Sequence, residues 1–152
     1  MGLDLFLNAK LKNKRTGIER TLPIMYWRKA FGIRDLLVEL AQKFQVDSPN
    51  NYGDVYFDCS LAIVPILKMK LLNAMKTNNH EYWTDSIWTP TETRCCTLNQ
   101  LANLIAFEDW LCGDCDNETL FDELSELEDE KSIPLRGSPE DYEIIMEVVN
   151  SY

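Results

Sequence analysis

Residues 3–12 read Leu-Asp-Leu-Phe-Leu-Asn-Ala-Lys-Leu-Lys, with Leu3, Leu5, Leu7, Ala9 and Leu11 at every second position. Period 2 with polar partners predicts a β-strand that buries one face. The chain continues through Asn13-Lys14-Arg15-Thr16-Gly17, a short connection ending in glycine. Ile18, Leu22, Ile24 and Tyr26 then resume an alternation that Arg20 interrupts. This is a β-hairpin, and Pro23 assigns its second strand to a sheet edge or a bulge. From about Arg28 the period changes. Ala30, Ile33, Leu37, Leu40, Ala41 and Phe44 recur at three and four, the pattern of an amphipathic helix that tolerates Gly32.

The rest of the chain extends this frame. Turn residues fill 46–54, and Val55, Phe57, Cys59, Leu61 and Ile63 alternate as a third strand. Pro65 suits the first turn of a helix running to about Lys76. Residues 77–94 hold Tyr82, Trp83 and Trp88 among polar residues and read as a long ordered loop. Thr97 and Gln100 form a capping box for a helix over about 98–111, which Gly113 can end. Asp116 or Asn117 can cap the next helix, with Leu120, Phe121, Leu124 and Leu127 as its apolar stripe. Ser138-Pro139-Glu140-Asp141 opens a last helix carrying Ile144, Ile145, Val148 and Val149. The expected fold is α+β: a small antiparallel sheet of a hairpin plus a third strand, packed with about five helices in the order β-β-α-β-α-α-α-α.

At 152 residues, 45% hydrophobic and 26% charged, the chain is expected to form a single domain over 1–152. No apolar run approaches the ~20 residues that cross a bilayer. Met1 to Phe6 offer neither a basic leader nor a small-residue cleavage site. Gly2 lacks the Ser or Thr that myristoylation wants where Phe6 stands. The expected location is a host cytoplasm, with no membrane partner and with Cys59, Cys95, Cys96, Cys112 and Cys115 as reduced thiols.

Charge divides the chain. Residues 1–76 carry 12 Lys/Arg against 7 Asp/Glu, and residues 77–152 carry 3 against 18, so +5 and −15 make the total of −10. Thus a basic sheet–helix half precedes an acidic helical half. No Lys or Arg lies between Arg94 and Lys131. Such a field repels nucleic acid and attracts basic protein surfaces. Asp114, Asp116, Glu118, Asp122, Glu123, Glu126, Glu128, Asp129 and Glu130 are the candidate partner-binding residues. Duplex DNA carries a charge every ~1.7 Å and a helix rises ~1.5 Å per residue, so this run approaches the charge density of nucleic acid. A solvated helix face is the plainer reading of the same residues.

Other constellations carry less chemistry. Cys112-Gly113-Asp114-Cys115 has dithiol spacing, but Cys95 and Cys96 are adjacent, a poor geometry for completing a zinc site. Acids around the pair would raise its thiol pKa, against redox use. His80 is the single histidine, in a loop-like stretch, and six scattered glycines supply no phosphate loop. No metal, cofactor or catalytic residue is expected, and the chain reads as a non-enzyme. Lys10, Lys12, Lys14, Arg15 and Arg20 cluster at the hairpin, where lysines guard sheet edges more often than they bind phosphate.

At Met1-Gly2-Leu3-Asp4-Leu5 and Tyr26-Trp27-Arg28-Lys29 the chain resembles a group of small uncharacterised phage and prophage proteins that open with Met-Gly-Leu-Asp and carry Tyr-Trp-Arg-Lys before a helix. The resemblance covers about residues 1–45 and implies an accessory protein of a virus or mobile element. Asp4, Tyr26, Trp27 and Arg28 are read as a structural corner, since hairpin pairing brings the two ends together. Three functions follow as expectations. The first is a phage-encoded, anti-CRISPR-like inhibitor that blocks the basic groove of a host defence nuclease with a DNA-mimicking acidic surface. The second is a ligand-binding or enzymatic accessory protein centred on the corner. The third is an adaptor that binds a host protein through the Tyr82–Trp88 loop.

Overall fold

A computed structural model describes residues 4–28, 31–46, 56–76, 90–124 and 133–151. Strands β1 (Asp4–Asn13) and β2 (Glu19–Arg28) form the hairpin. Its tip is closed by the Asn13 side chain, which accepts the N–H groups of Arg15 (2.9 Å) and Thr16 (3.0 Å). Gly17 sits there at φ +74°, a conformation that a side chain at this position would strain. Pro23 has both expected effects: β2 is an edge strand, and the register slips between Leu7 and Asn8 opposite residues 23–25. The extra residue lets Ile24 and Met25 both be buried.

Among the described residues the sheet has four strands, not three. Residues 142–151, expected as the last helix, form β4 (Tyr142–Ser151), which pairs antiparallel with β1 along its whole length. β3 (Tyr56–Cys59) pairs with the other side of β4, giving the order β2-β1-β4-β3. Among the described residues the element order is therefore β-β-α-β-α-α-α-β with four α-helices, and the acidic half is not wholly helical. Ile144, Ile145, Val148 and Val149 match a helix stripe, yet the same spacing supplies both faces of a central strand. Four β-branched residues, stiff at χ1, favour that strand. Only Pro139–Asp141 remains helical, a single 3₁₀ turn.

Helix α1 (Phe31–Lys43) buries Ile33, Leu36, Leu37, Leu40 and Ala41 as its period requires. β3 ends early: Ser60 accepts the Ala62 N–H on its hydroxyl (3.1 Å), and α2 (Ile63–Lys76) starts where the strand was expected to continue. Pro65 falls in the first turn of α2. α3 (Pro90–Leu111) begins eight residues before the expected 98, with proline at its first position. Thr97 and Gln100 are therefore interior to α3 rather than caps, and 90–94 are helix rather than loop. The remainder of that expected loop lies outside the described residues. α4 (Asn117–Leu124) buries Leu120 and Leu124. Leu5, Leu7, Ala9 and Leu11 share one core with Trp27, Phe57, Met146, Val148 and the inner faces of the helices.

Candidate functional site

The acidic surface starts where α3 stops. Gly113, at φ +80°, donates to the Trp110 carbonyl (3.1 Å), and the Asp114 N–H reaches the Asp109 carbonyl (2.7 Å). This is the glycine-closed helix end that the sequence allowed. Asp116 caps α4 by accepting the Thr119 N–H (2.8 Å), a bond that holds its carboxyl below the usual range. Asn117, the other candidate cap, has a different task. Its Oδ1 accepts the Trp110 indole N–H (2.7 Å), and its Nδ2 donates to the carbonyls of Leu135 (3.2 Å) and Gly137 (2.5 Å). The α3–α4 turn is thereby fixed to the segment that leads into β4. Asp114, Asp116, Glu118, Asp122 and Glu123 are exposed on this hydrogen-bonded unit. Glu126, Glu128, Asp129 and Glu130 lie outside the described residues. Glu108, upstream on α3, pairs with Lys68 of α2 (2.8 Å).

The thiols differ by environment. Cys112 is exposed, whereas Cys115 is half-buried and contacts the Ala106 carbonyl (3.5 Å). Burial and the neighbouring Asp109, Asp116 and Asp114 push the Cys115 thiol up. Cys59, buried beside Asp58, is pushed up to about 12, chiefly by burial. With an excess of Ellman's reagent, Cys112 should therefore react before Cys115, and Cys59 only on unfolding. Equal rates for Cys59 and Cys112 in the folded protein would contradict this ordering.

A second group of charges sits on the sheet face turned away from the core, and sequence reading did not assemble it. Asp58 of β3 is the register partner of Glu147 of β4, so two carboxylates stand side by side. Lys10 of β1 reaches both Asp58 oxygens (2.6 and 2.7 Å) and comes within 3.9 Å of Glu147. The Tyr56 hydroxyl donates to Glu147 (2.5 Å), whose other oxygen accepts the Asn8 amide (3.0 Å). Asp58 is 1% exposed. Burial, then the hydrogen bond to Glu147 and the charges of Glu147 and Asp58, drive the Tyr56 phenol well above its ordinary range. An acid with a raised folded pKa stabilises the fold fully below its unfolded value of ~10, and loses that contribution as pH rises beyond it. Alkaline titration followed by phenolate absorbance should show one tyrosine ionising only as the fold gives way. Tyr56→Phe should delete that step; an unchanged curve would refute the assignment. The outward Asp58 in an otherwise apolar strand was the available signal, but with Glu147 placed on a helix it had no visible partner.

The corner residues come together in part. Asp4 stands opposite Arg28 in the register, as expected, and the Tyr26 hydroxyl donates to Asp4 (2.8 Å), with the Phe6 ring tilted at 44° against the Tyr26 ring (5.0 Å between centroids). Trp27 points the other way into the core, 1% exposed. Asp4 and Tyr26 thus share one face while Trp27 occupies the opposite one. The hairpin cations are dispersed too. Lys10 belongs to the network and Arg20 donates to the Ile133 carbonyl. Lys14 and Arg15 line a shallow cleft with Glu140 and Asp141, a mixed-charge surface. His80, Tyr82 and Trp88 lie outside the described residues.

No helix is long and apolar enough to cross a membrane, and no cluster of three or more potential metal ligands occurs, among the described residues. No protein family, curated protein or solved structure matches the chain.

Proposed function

We propose that the protein is a non-enzymatic inhibitor that binds a nucleic-acid-handling enzyme through its acidic turn and α4. The target surface is a Lys/Arg-rich groove that otherwise holds DNA or RNA, and inhibition is occlusion of that groove. One observation carries the reading: Asp114, Asp116, Glu118, Asp122 and Glu123 are all exposed on one capped turn–helix unit, in a stretch without Lys or Arg from residue 95 to 130. Held by the Asn117 anchor, these charges need little ordering on binding, which favours fast, electrostatically steered association. The resemblance of residues 1–45 to phage proteins supports a defence nuclease of the host, such as a CRISPR effector, as the target class, and the host cytoplasm as the place of action.

The test is capture from host lysate by immobilised protein at low and high salt. A nucleic-acid enzyme retained at low salt, and displaced both by salt and by duplex DNA, is the expected result. Salt-resistant capture of a protein that DNA does not displace would defeat the proposal and favour an adaptor.

A further inference from the structure

The solvent side of α2 mixes lysines with exposed apolar residues and carries no acid. Pro65, Met69, Leu72 and Lys76 recur at four, three and four along its outer face. Met69 is 68% exposed and Leu72 is 42% exposed. A helix face that meets only water is ordinarily polar, so an apolar outer stripe marks a face with a partner. α2 contains no Asp or Glu, and its lysines frame the stripe. Lys68 is held by Glu108, whereas Lys70 and Lys76 are exposed. The occupant therefore brings a little apolar surface rimmed by carboxylates.

The chain itself carries that surface. α4 exposes Glu118, Asp122 and Glu123 around a half-buried Phe121, and both α2 and α4 pack against α3. We infer that a second copy of this chain docks on α2 through its α4, and reciprocally, forming a two-fold dimer. Two equivalent contacts related by a two-fold axis close the assembly, whereas a single head-to-tail contact would propagate into fibres. Charge decides the pairing. α2 against α2 would oppose Lys70 and Lys76 to their own copies, whereas α2 against α4 sets those lysines facing Glu118, Asp122 and Glu123. The face that a second copy covers includes the one assigned to the target, so dimer and target complex exclude each other.

Sedimentation velocity on the full chain in reducing buffer tests this. A dimer fraction that grows with concentration and shrinks as salt is raised is expected. Met69→Asp with Leu72→Asp, Lys70→Glu with Lys76→Glu, and Asp122→Lys with Glu123→Lys should each give monomer. The two charge reversals combined in one chain should restore the dimer, which a folding defect could not do; far-UV circular dichroism checks each variant. A wild-type protein that stays monomeric at every concentration would overturn the inference. So would a dimer that survives the α4 reversal, which means α2–α2 packing, or a monomer that binds phosphatidylserine vesicles through Met69 and Leu72. Lys70→Glu with Lys76→Glu leaves the acidic face intact and should still capture the target, so failure of the dimer and failure of target binding are separable.

Discussion

Lys10→Met should destabilise the fold by about 3 kcal/mol in urea denaturation, the largest loss expected from any single surface-facing substitution here. Lys10 is the cation between Asp58 and Glu147, carboxylates that face each other across β3 and β4. With Asp58 only 1% exposed, water cannot take over the role of the ammonium group. The side chain of Lys10 is itself 26% exposed, which places the loss toward the lower end for a broken buried pair. A double-mutant cycle separates the pair from simple packing. In an Asp58→Asn background the same Lys10→Met change should cost less than about 1 kcal/mol, because no uncompensated charge then remains at position 58. Equal losses in both backgrounds would mean that Lys10 contributes packing alone.

Converting Asp114, Asp122 and Glu123 to Lys should abolish target binding while sparing the fold. Each reversal adds two units of charge, so the net charge moves from −10 to −4. All three side chains are exposed, and such charges contribute ~0–1 kcal/mol each to stability. The buried stripe residues of α4, Leu120 and Leu124, are untouched. At the interface, lysines would now meet a basic groove, a like-charge encounter that costs several kcal/mol. Binding by the wild-type protein should weaken steeply with salt as the Debye length falls from ~10 Å at 0.1 M toward ~3 Å at 1 M. A gel-shift competition between the protein and the target's own nucleic acid reads both effects. Undiminished inhibition by the triple variant would reduce the acidic run to a solvated face.

The parts of the fold legible in the sequence are those where one periodicity had no rival. β1 alternates over ten residues, α1 keeps its three-and-four spacing, and Gly113 closes α3 at a positive φ that side chains rarely adopt. β4 was not legible, because Ile144-Ile145-Met146-Glu147-Val148-Val149 satisfies two periods at once. The choice between them is made by β1, whose inner edge stays unpaired unless residues 142–151 extend beside it. That choice is tertiary, and no window of ten residues contains it. The same misreading hid the Lys10–Asp58–Glu147 network, whose members come from three strands separated by most of the chain. The acidic unit was read more fully: charge density is a property of composition, and Asp116 is one of the two caps expected. What the sequence withheld there was the Asn117 anchor, since its carbonyl partners lie 18 and 20 residues away.

The place of β4 at the heart of the sheet also sets a timetable. During synthesis, β1 and β2 leave the ribosome together and can pair within microseconds. The other edge of β1 must wait for 129 further residues, the span from Asn13 to Tyr142. At ordinary elongation rates that interval is roughly 6–26 s, long on the scale of strand association. Throughout it, a ten-residue strand with a fully apolar face stands open on one side, as does β3 when it emerges. Nascent chains on one polysome thus display matching unpaired edges to each other before any can finish its own sheet. Yield on expression should depend on how quickly the last strand arrives, and slowing translation across residues 60–140 should divert product into aggregates although the finished protein is unchanged.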